Sequence, residues 1–140
     1  MAQGTQTKIL IVDDESDIRV LTSGILEDEG FLTFQAASSS DAMTEIEKIF
    51  PDLILLDIWL QGSKLDGLGI LKVVKRDYPT IPILMMSGHG NIETAVQAIK
   101  EGAYDFIEKP FNSQRLLILV RRIIEAEKLR KENEQLRELT

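Results

Sequence analysis

The chain has 140 residues, the length of about one domain, and 44% of them are hydrophobic, which is enough to form a core of ordinary size. Its formal net charge of −7, from 16 basic and 23 acidic residues, argues against direct binding of nucleic acid, because phosphate contacts need clustered Lys and Arg. The absence of Cys excludes disulfides, thiol catalysis and thiolate metal sites. No signal peptide or apolar run of membrane-spanning length is present, so we expect a soluble cytoplasmic protein without membrane contact.

Five short apolar segments alternate with segments of helical periodicity along the chain. Their continuous apolar runs, bounded by turn-forming residues, are typical of strands that are buried on both faces. The predicted strands are 8–14, 31–36, 52–57, 81–88 and 104–108, and the predicted helices are 16–28, 39–49, 67–77, 91–101 and 112–139. This order predicts an α/β fold with a doubly wound parallel sheet, with helices on both faces because the crossovers are right-handed.

Apolar residues at helical spacing mark the face of each helix that we expect to pack against the sheet. These residues are Ile18, Leu21, Ile25 and Leu26 in the first helix, Ala42, Met43, Ile46 and Ile49 in the second, Leu68, Leu71 and Val74 in the third, and Ile92, Ala95, Val96 and Ile99 in the fourth. Ser16 is the expected N-cap of the first helix. Gly30 and Gly102 each follow a helix and precede a strand, so we expect them to form C-terminal caps.

The last predicted helix is longer than the ~10–14 residues that are usual in globular proteins. Its first half is apolar, whereas its second half, EAEKLRKENEQLRELT, is charged and carries a heptad pattern. In a parallel two-stranded coiled coil, a Glu at position g of one helix would face an Arg at position e of its partner. The alternative is a solvated helical linker, since two heptads are few. The heptad positions would be Ala126 and Asn133 (a), Leu129 and Leu136 (d), Glu125 and Glu132 (g), and Arg130 and Arg137 (e).

Polar side chains lie at the carboxyl ends of the predicted strands, where ligands bind in an open parallel sheet. Asp13 and Asp14 lie at the end of the first strand and Asp57 at the end of the third. These strands are neighbours in the order 2-1-3-4-5, so the three aspartates would converge. Two unit charges 4 Å apart repel by roughly 4 kcal/mol at an effective dielectric constant near 20, so the cluster must retain a proton or bind a cation. Oxygen ligands without Cys or a nearby His favour Mg²⁺.

Two further side chains complete a chemical pattern at the same edge of the sheet. Ser87 lies at the end of the fourth strand and offers a hydroxyl, and Lys109 follows the fifth strand and offers an ammonium group. A carboxylate nucleophile, a divalent cation, an ammonium group and a hydroxyl together suit the transfer of a phosphoryl group. The residues therefore predict that Asp57 is a phosphoryl acceptor.

The segments ILIVDDE, LILLDIWL, ILMMSGHG and AYDFIEKPF resemble the CheY-like receiver domain of two-component response regulators over about residues 7–125. The resemblance implies a flavodoxin-like (βα)5 fold and a domain that promotes its own phosphorylation and dephosphorylation without being an enzyme for other substrates. It implies that a sensor histidine kinase phosphorylates Asp57. The implied Mg²⁺ ligands are Asp13, Asp14, Asp57 and the main-chain carbonyl of Trp59.

The same resemblance implies roles for residues around the acceptor. Ser87 and Lys109 would contact the phosphoryl oxygens, and Lys109 and Pro110 would be joined by a cis peptide bond. Tyr104 would be the aromatic residue that turns inward in the phosphorylated state. The implied positions that tune the lifetime of the phosphoryl group are Trp59 and His89, although a surface His without a role and a Trp that covers apolar surface remain alternatives.

The segment SGHGNIETAVQAIKEGAYDFIEKPF resembles the receivers of NtrC-type activators, and DIWLQGSKLDGLGIL resembles their NtrX subgroup, whose sensor kinase is NtrY. The loop between Asp57 and Gly67 is two residues longer than in the common receiver pattern and lacks its proline. The resemblance implies a receiver domain over 1–124 and a linker over 125–140 that leads to an AAA+ ATPase and DNA-binding output absent from this chain. It also implies homodimerisation through the last helix and the surface formed by 92–101, 104–108 and 112–124.

Two other functions remain open from the sequence, and a third is weaker than both. A stand-alone receiver would act by protein–protein interaction without an output domain. A phosphatase with an Asp nucleophile, of the haloacid dehalogenase type, would carry a second Asp at position 59, where this chain has Trp59. A flavodoxin-type cofactor site is disfavoured because the turn DDESD would repel phosphate.

Overall fold

Strands and helices alternate along the chain in a computed structural model, which describes residues 6–60, 66–88, 92–109 and 111–139, with side chains as far as Leu136. The elements are β1 (Lys8–Val12), α1 (Ser16–Glu27), β2 (Leu32–Ala36), α2 (Ser39–Ile49), β3 (Leu53–Asp57), α3 (Gly67–Asp77), β4 (Ile83–Ser87), α4 (Ile92–Lys100), β5 (Asp105–Glu108) and α5 (Ser113–Leu139). Each predicted strand and helix is therefore present, and the observed ends lie within two residues of most of the predicted ones.

The five strands form one parallel sheet in the order β2-β1-β3-β4-β5, which confirms the predicted flavodoxin-like arrangement. β1 lies between β2 and β3, with Val12 in register with Ala36 on one side and with Leu56 on the other. β4 continues the sheet, with Met86 in register with Asp57. The carboxyl ends of β1, β3 and β4 therefore meet at one edge of the sheet.

The residues of β1, β3 and β4 alternate between the two faces of the sheet and are almost all fully buried. The face that carries Leu10 and Leu56 packs against apolar side chains of α2, α3 and α4. The opposite face carries Ile9 and Thr33, and the Thr33 hydroxyl lies 2.5 Å from that of Ser23 in α1. Burial on both faces explains why the strands are continuous apolar runs in the sequence.

The start of α1 differs from the prediction. Ser16 is the first helical residue, not the N-cap, and the N-cap position belongs to Glu15, whose side chain makes no capping hydrogen bond. Instead, the Glu15 N–H donates to Asp13 Oδ1 at 2.9 Å, so a carboxylate before the helix organises the turn. The predicted apolar face is also partly wrong, because Leu21 is exposed whereas Thr22 and Ser23 are buried with Leu26.

The packing face of α4 consists of small residues. Ala95 and Ala98 are fully buried, whereas Ile92, Val96 and Ile99 are 58%, 44% and 39% exposed. The prediction that these three large residues pack inward was therefore wrong. Alanines allow a helix to lie close to a sheet, and the larger apolar residues of α4 are left on its outer side.

Two helix ends confirm the predicted glycine caps. Gly30 and Gly102 have φ angles of +92° and +113°, in the region that glycine adopts without a steric penalty. α2 ends differently, because Phe50 takes the left-handed conformation with φ of +49°. Its ring meets that of Tyr78 edge-on at 5.6 Å, a contact that helps to hold this unusual cap.

Phe111–Thr140 forms a compact unit of its own. Within α5, Arg130 pairs with Glu127 at 3.1 Å and with Glu134 at 2.5 Å, so its partners lie in its own helix. Leu129 and Leu136 are exposed in the single chain. The coiled-coil pairing stays a prediction, and the side chain of Arg137 lies outside the described residues. Among the helices that the structure describes, none is both long and apolar enough to cross a membrane.

Candidate functional site

Three aspartates converge at the carboxyl ends of β1 and β3. Asp13, Asp14 and Asp57 each offer a carboxylate oxygen, and these three oxygens lie within 4.8 Å of one another. The register of the two strands causes this convergence, since Val12 and Leu56 are paired and the aspartates follow them. Asp13 is fully buried and Asp57 is 5% exposed, whereas Asp14 is partly exposed. The three carboxylates therefore lie together, as the sequence predicted.

Asp13 is held by hydrogen bonds on several sides. Its N–H donates to Ala36 O at 3.1 Å, and its Oδ1 accepts from the N–H of Glu15 at 2.9 Å. Its Oδ2 accepts from Lys109 Nζ at 2.8 Å. Because buried carboxylates are stable only when paired and hydrogen-bonded, these contacts explain how Asp13 is accommodated in the interior.

Lys109 brings a positive charge across the end of the sheet to the aspartates. Its N–H donates to Ser87 O at 2.7 Å, which extends the pairing of β5 with β4. Its Nζ lies 2.8 Å from Asp13 Oδ2, 3.3 Å from Asp57 Oδ2 and 3.9 Å from a carboxylate oxygen of Glu15. Ser87 is buried at the end of β4, directly after Met86, the register partner of Asp57. Lys109 and Ser87 therefore lie where the sequence predicted, beside Asp57.

One ammonium group does not compensate for three carboxylates. Burial, together with the negative charges of Asp13 and Asp14, raises the pKa of Asp57 to about 7 against the opposing effect of Lys109. Burial would lower the pKa of Lys109, but the hydrogen bond to Asp13 and the charges of Asp57 and Asp13 outweigh burial, so this pKa is raised. Near neutral pH the cluster therefore favours either a proton on Asp57 or a second cation.

The donor atoms fit a hard divalent cation. Oxygens bound to one Mg²⁺ at about 2.1 Å are separated by at most about 4.2 Å, so the observed spread of 4.8 Å requires only a small contraction. Carboxylate oxygens are the ligands that Mg²⁺ prefers, and neither thiolate nor imidazole belongs to this cluster. The predicted ligands Asp13, Asp14 and Asp57 therefore suit Mg²⁺ by both chemistry and spacing.

A cavity of about 390 Å³ opens above Asp57, lined by Asp14, Glu15, Asp57, Trp59, Gly88 and Lys109. Trp59 is half exposed at its rim. Glu15 was not among the predicted site residues, although its place directly after the acidic pair was a signal that could have identified it. The cavity leaves the Asp57 carboxylate open to a small ligand.

Gly67 is a second residue whose role the sequence did not predict. Its N–H donates to Ile58 O at 2.7 Å. A Cβ at this position would collide with the carbonyl oxygen of Asp57 and would lie 2.7 Å from Ile58 Cα. Asp66 precedes it as the N-cap of α3, with a side chain that accepts from the N–H of Gly69 at 2.9 Å. The chain thus returns to the end of β3 directly beside Asp57, and glycine allows this close approach.

The remaining predicted site residues are placed as follows. Tyr104 precedes β5, its N–H donates to Ile83 O at 2.8 Å, and its ring is exposed. His89 lies outside the described residues, as does Pro110 of the predicted cis peptide with Lys109. The loop residues 61–65, which include the extra length, also lie outside the described residues.

Comparison with known proteins places this site in a family context. Residues 9–121 match the family described as the response regulator receiver domain. The nitrogen assimilation regulatory protein NtrX of Azorhizobium caulinodans is 58% identical over 132 residues, which cover 94% of this chain and 29% of that protein. The chain thus spans less than a third of the length of this curated relative.

Two solved structures resemble the chain closely. The receiver domain of NtrX from Brucella abortus is 56% identical, with a TM-score of 0.82, and the match covers 84% of this chain and 98% of that one. A structure of NtrX from Brucella abortus in complex with ATP is 52% identical, with a TM-score of 0.91, and the match covers 94% of this chain and 30% of that one.

Proposed function

Because the chain belongs to the response regulator receiver domain family, we propose that Asp57 accepts a phosphoryl group from the phosphohistidine of a sensor kinase. A carboxylate oxygen of Asp57 forms the new P–O bond while the P–N bond to the kinase histidine breaks, and the imidazole leaves with the electron pair of that bond. The observation that carries this proposal is the position of Asp57, which lies in an open cavity with Lys109 Nζ 3.3 Å from its Oδ2.

The surrounding residues stabilise the transferred group. Lys109 moves from the carboxylates towards the phosphoryl oxygens, where its ammonium group compensates for their charge, and the Ser87 hydroxyl donates to another oxygen. Asp13, Asp14, Asp57 and the main-chain carbonyl of Trp59 would hold Mg²⁺. When bound, this ion supplies positive charge to the phosphoryl oxygens and compensates for the carboxylate cluster.

Access of water to the acyl phosphate sets how long the signal lasts. Trp59 lines the cavity beside Asp57, and its half-exposed ring is in a position to cover the phosphoryl group. We assign the same function to His89, and we retain the proposal that Lys109 and Pro110 are joined by a cis peptide bond. The domain thereby regulates both its own phosphorylation and its own dephosphorylation, which suits a timed switch.

Phosphorylation is proposed to act through an exposed apolar strip, which we define as Ile92, Val96, Ile99 and Tyr104. The first three lie at helical spacing on the outer side of α4, and Tyr104 precedes β5. Exposed apolar residues that form a contiguous strip are typical of a protein–protein interface. We propose that repacking of Tyr104 changes this surface, and that homodimers form through it and through α5.

The full-length protein is proposed to be a transcription activator of the NtrX subgroup in the cytoplasm, with a NtrY-like sensor kinase as its partner. The similarity to NtrX proteins supports this assignment, as does the ATP complex of the Brucella abortus NtrX, which is consistent with an ATPase output. With a net charge of −7, this chain would contact DNA only through an output domain. Residues 125–140 would be the linker to that output.

Mass spectrometry tests the acceptor directly. Acetyl phosphate with Mg²⁺ should give one phosphate adduct on the wild-type chain, and Asp57→Asn should give none. The matched control is Asp52→Asn, which changes a carboxylate near the opposite end of β3 and should retain the adduct. An adduct that survives Asp57→Asn, or that forms equally without a divalent ion, would contradict the proposal.

A further inference from the structure

The main-chain carbonyl of Asp13 accepts a hydrogen bond from a side chain that lies outside the site described above. Arg19, the fourth residue of α1, donates from Nη1 to Asp13 O at 2.7 Å. Its Nε also donates to Gln35 Oε1 in β2 at 3.3 Å. Because Asp13 is fully buried, its carbonyl oxygen needs a partner, and Arg19 provides one.

This carbonyl belongs to the peptide bond that joins Asp13 to Asp14. The peptide unit is planar, so a hydrogen bond that holds its oxygen also fixes the direction in which the chain enters Asp14. The Asp13 carboxylate is held separately by Glu15 N–H and Lys109 Nζ. Arg19 therefore contacts the peptide unit that links the two carboxylate-bearing residues.

The outer side of Arg19 lies against open space and not against the apolar core. It lines a second cavity of about 300 Å³, whose other lining residues are Gln35, Ala36, Ala37, Asp41, Thr44 and Glu45. Water can enter a polar cavity of this size and, once the side chain at position 19 is shortened, can hydrogen-bond the Asp13 carbonyl. A shorter or neutral side chain at position 19 should therefore leave the fold intact while it loosens the Asp13–Asp14 turn.

We propose that Arg19 is a positioning residue for the Mg²⁺ site, acting through the peptide bond between Asp13 and Asp14. This inference rests on the proposed function, because it requires these two carboxylates to bind the ion. Residues that orient metal ligands from outside typically contribute 10–100-fold to metal affinity. We therefore expect Arg19→Met to raise the Kd for Mg²⁺ by about 10-fold.

The test compares Mg²⁺ binding by the wild type, Arg19→Met and Arg19→Lys. Isothermal calorimetry gives the Kd, and the fluorescence of Trp59, the sole Trp of the chain, reports on the same cavity. Arg76→Met is the matched control, since Arg76 is an exposed arginine of α3 that pairs with its neighbour Asp77 at 2.8 Å. It should leave the Kd unchanged.

The rate of phosphorylation by acetyl phosphate separates positioning from a general loss of structure. In Arg19→Met, the Mg²⁺ concentration for half-maximal rate should rise about 10-fold, while the rate at saturating Mg²⁺ stays near that of the wild type. The Mg²⁺ concentration for half-maximal rate in Arg19→Lys should lie between those of the wild type and Arg19→Met, because one ammonium group cannot make both hydrogen bonds of the guanidinium.

Each outcome has a definite meaning. A wild-type chain that does not bind Mg²⁺ would contradict the proposed function itself. Mg²⁺ binding by the wild type together with an unchanged Kd in a folded Arg19→Met would overturn only the role of Arg19. If Arg19→Met fails to fold, Arg19→Lys decides, and a Kd equal to that of the wild type would overturn the inference.

Discussion

Asp57 combines a nearly buried carboxylate with three charged neighbours, so its protonation depends on what surrounds it. Asp13 and Asp14 disfavour its charged form, and Lys109 favours it. The pKa of about 7 means that small changes in this environment decide whether the acceptor is a carboxylate at neutral pH. A nucleophile must be deprotonated to attack phosphorus, so in the proposed reaction a divalent cation at the three aspartates would lower this pKa and prepare Asp57 to accept the phosphoryl group.

This pKa makes stability depend on pH when no divalent ion is bound. Asp57 has a higher pKa in the folded chain, about 7, than the 3.8 of an aspartate in an unfolded chain, so folding favours the protonated form. This contribution to stability is complete below pH 3.8 and is lost as the pH rises through about 7. In EDTA, Asp57→Asn should remove this loss, and its free energy of unfolding at pH 8 should exceed that of the wild type by on the order of 4 kcal/mol, since the pKa difference between 3.8 and about 7 corresponds to about 1.4 kcal/mol per pKa unit.

Urea unfolding at a series of pH values measures this difference. Asp28→Asn, which changes an exposed carboxylate at the far end of α1, is the control and should keep the pH dependence of the wild type. The range from pH 5 to 8 is chosen because the pKa of Asp57 is about 7. If the free energy of unfolding changes with pH equally in Asp57→Asn and the wild type over this range, Asp57 does not retain its proton.

Gly67 determines the position of the Asp57 backbone. Gly67→Ala should lower the free energy of unfolding by about 2 kcal/mol, because the added Cβ collides with the main chain of Asp57 and Ile58 and overpacking typically costs 1–3 kcal/mol. The same shift should slow phosphorylation by acetyl phosphate. Urea unfolding and the phosphorylation rate measure these two effects. A Gly67→Ala variant with wild-type values for both would contradict the close approach of Gly67 to the main chain of Asp57.

At the scale of the elements, two glycines of the first helix–strand unit should respond to Ala in opposite directions. Gly24 lies in the interior of α1 with no atom within 4 Å of its hypothetical Cβ, so Gly24→Ala should stabilise the chain by about 0.5–1 kcal/mol. Gly30 has equal space, but its φ is +92°, so Gly30→Ala should cost about 1 kcal/mol. Urea unfolding measures both changes in the free energy of unfolding, and changes of the same sign would contradict the positive φ of Gly30 at the end of the helix.

The elements show which features the sequence could predict. The five strands and their polar ends could be predicted, because a doubly covered parallel strand is a continuous apolar run and the polar residue that ends it stands out. The packing face of α4 could be predicted only in part, since periodicity indicated Ala95 together with large apolar residues, whereas close packing on the sheet selected Ala95 and Ala98.

The candidate site also contains contacts that the sequence could predict and contacts that it could not. Asp13, Asp57 and Lys109 could be placed together from strand order alone. The hydrogen bonds from Arg19 to Asp13 O and from Gly67 N–H to Ile58 O could not be predicted, because every residue type has a main-chain carbonyl that can accept. The start of α1 was mispredicted by one residue, since Glu15 and not Ser16 takes the N-cap position, and the hydrogen bond from the Glu15 N–H to Asp13 Oδ1 cannot be read from residue types.

At the scale of the whole molecule, the apolar strip of α4 and Tyr104 should be the surface through which phosphorylation changes assembly. With Mg²⁺ and beryllofluoride, which mimics the acyl phosphate, the wild type should shift towards a dimer in light scattering after size-exclusion chromatography. Val96→Asp should abolish this shift, because a buried unpaired carboxylate at an interface is strongly unfavourable. Val20→Asp is the matched control, since Val20 is an equally apolar, exposed residue on α1.

The size of the effect distinguishes a surface role from damage to the fold. Val96 is 44% exposed, so Val96→Asp should change the stability of the isolated chain by no more than about 0.5 kcal/mol. Mg²⁺ binding and the rate of phosphorylation should also remain those of the wild type, because this residue does not line the cavity at Asp57. Dimerisation that persists in Val96→Asp but is lost in Val20→Asp would show that the interface lies on α1 and not on α4.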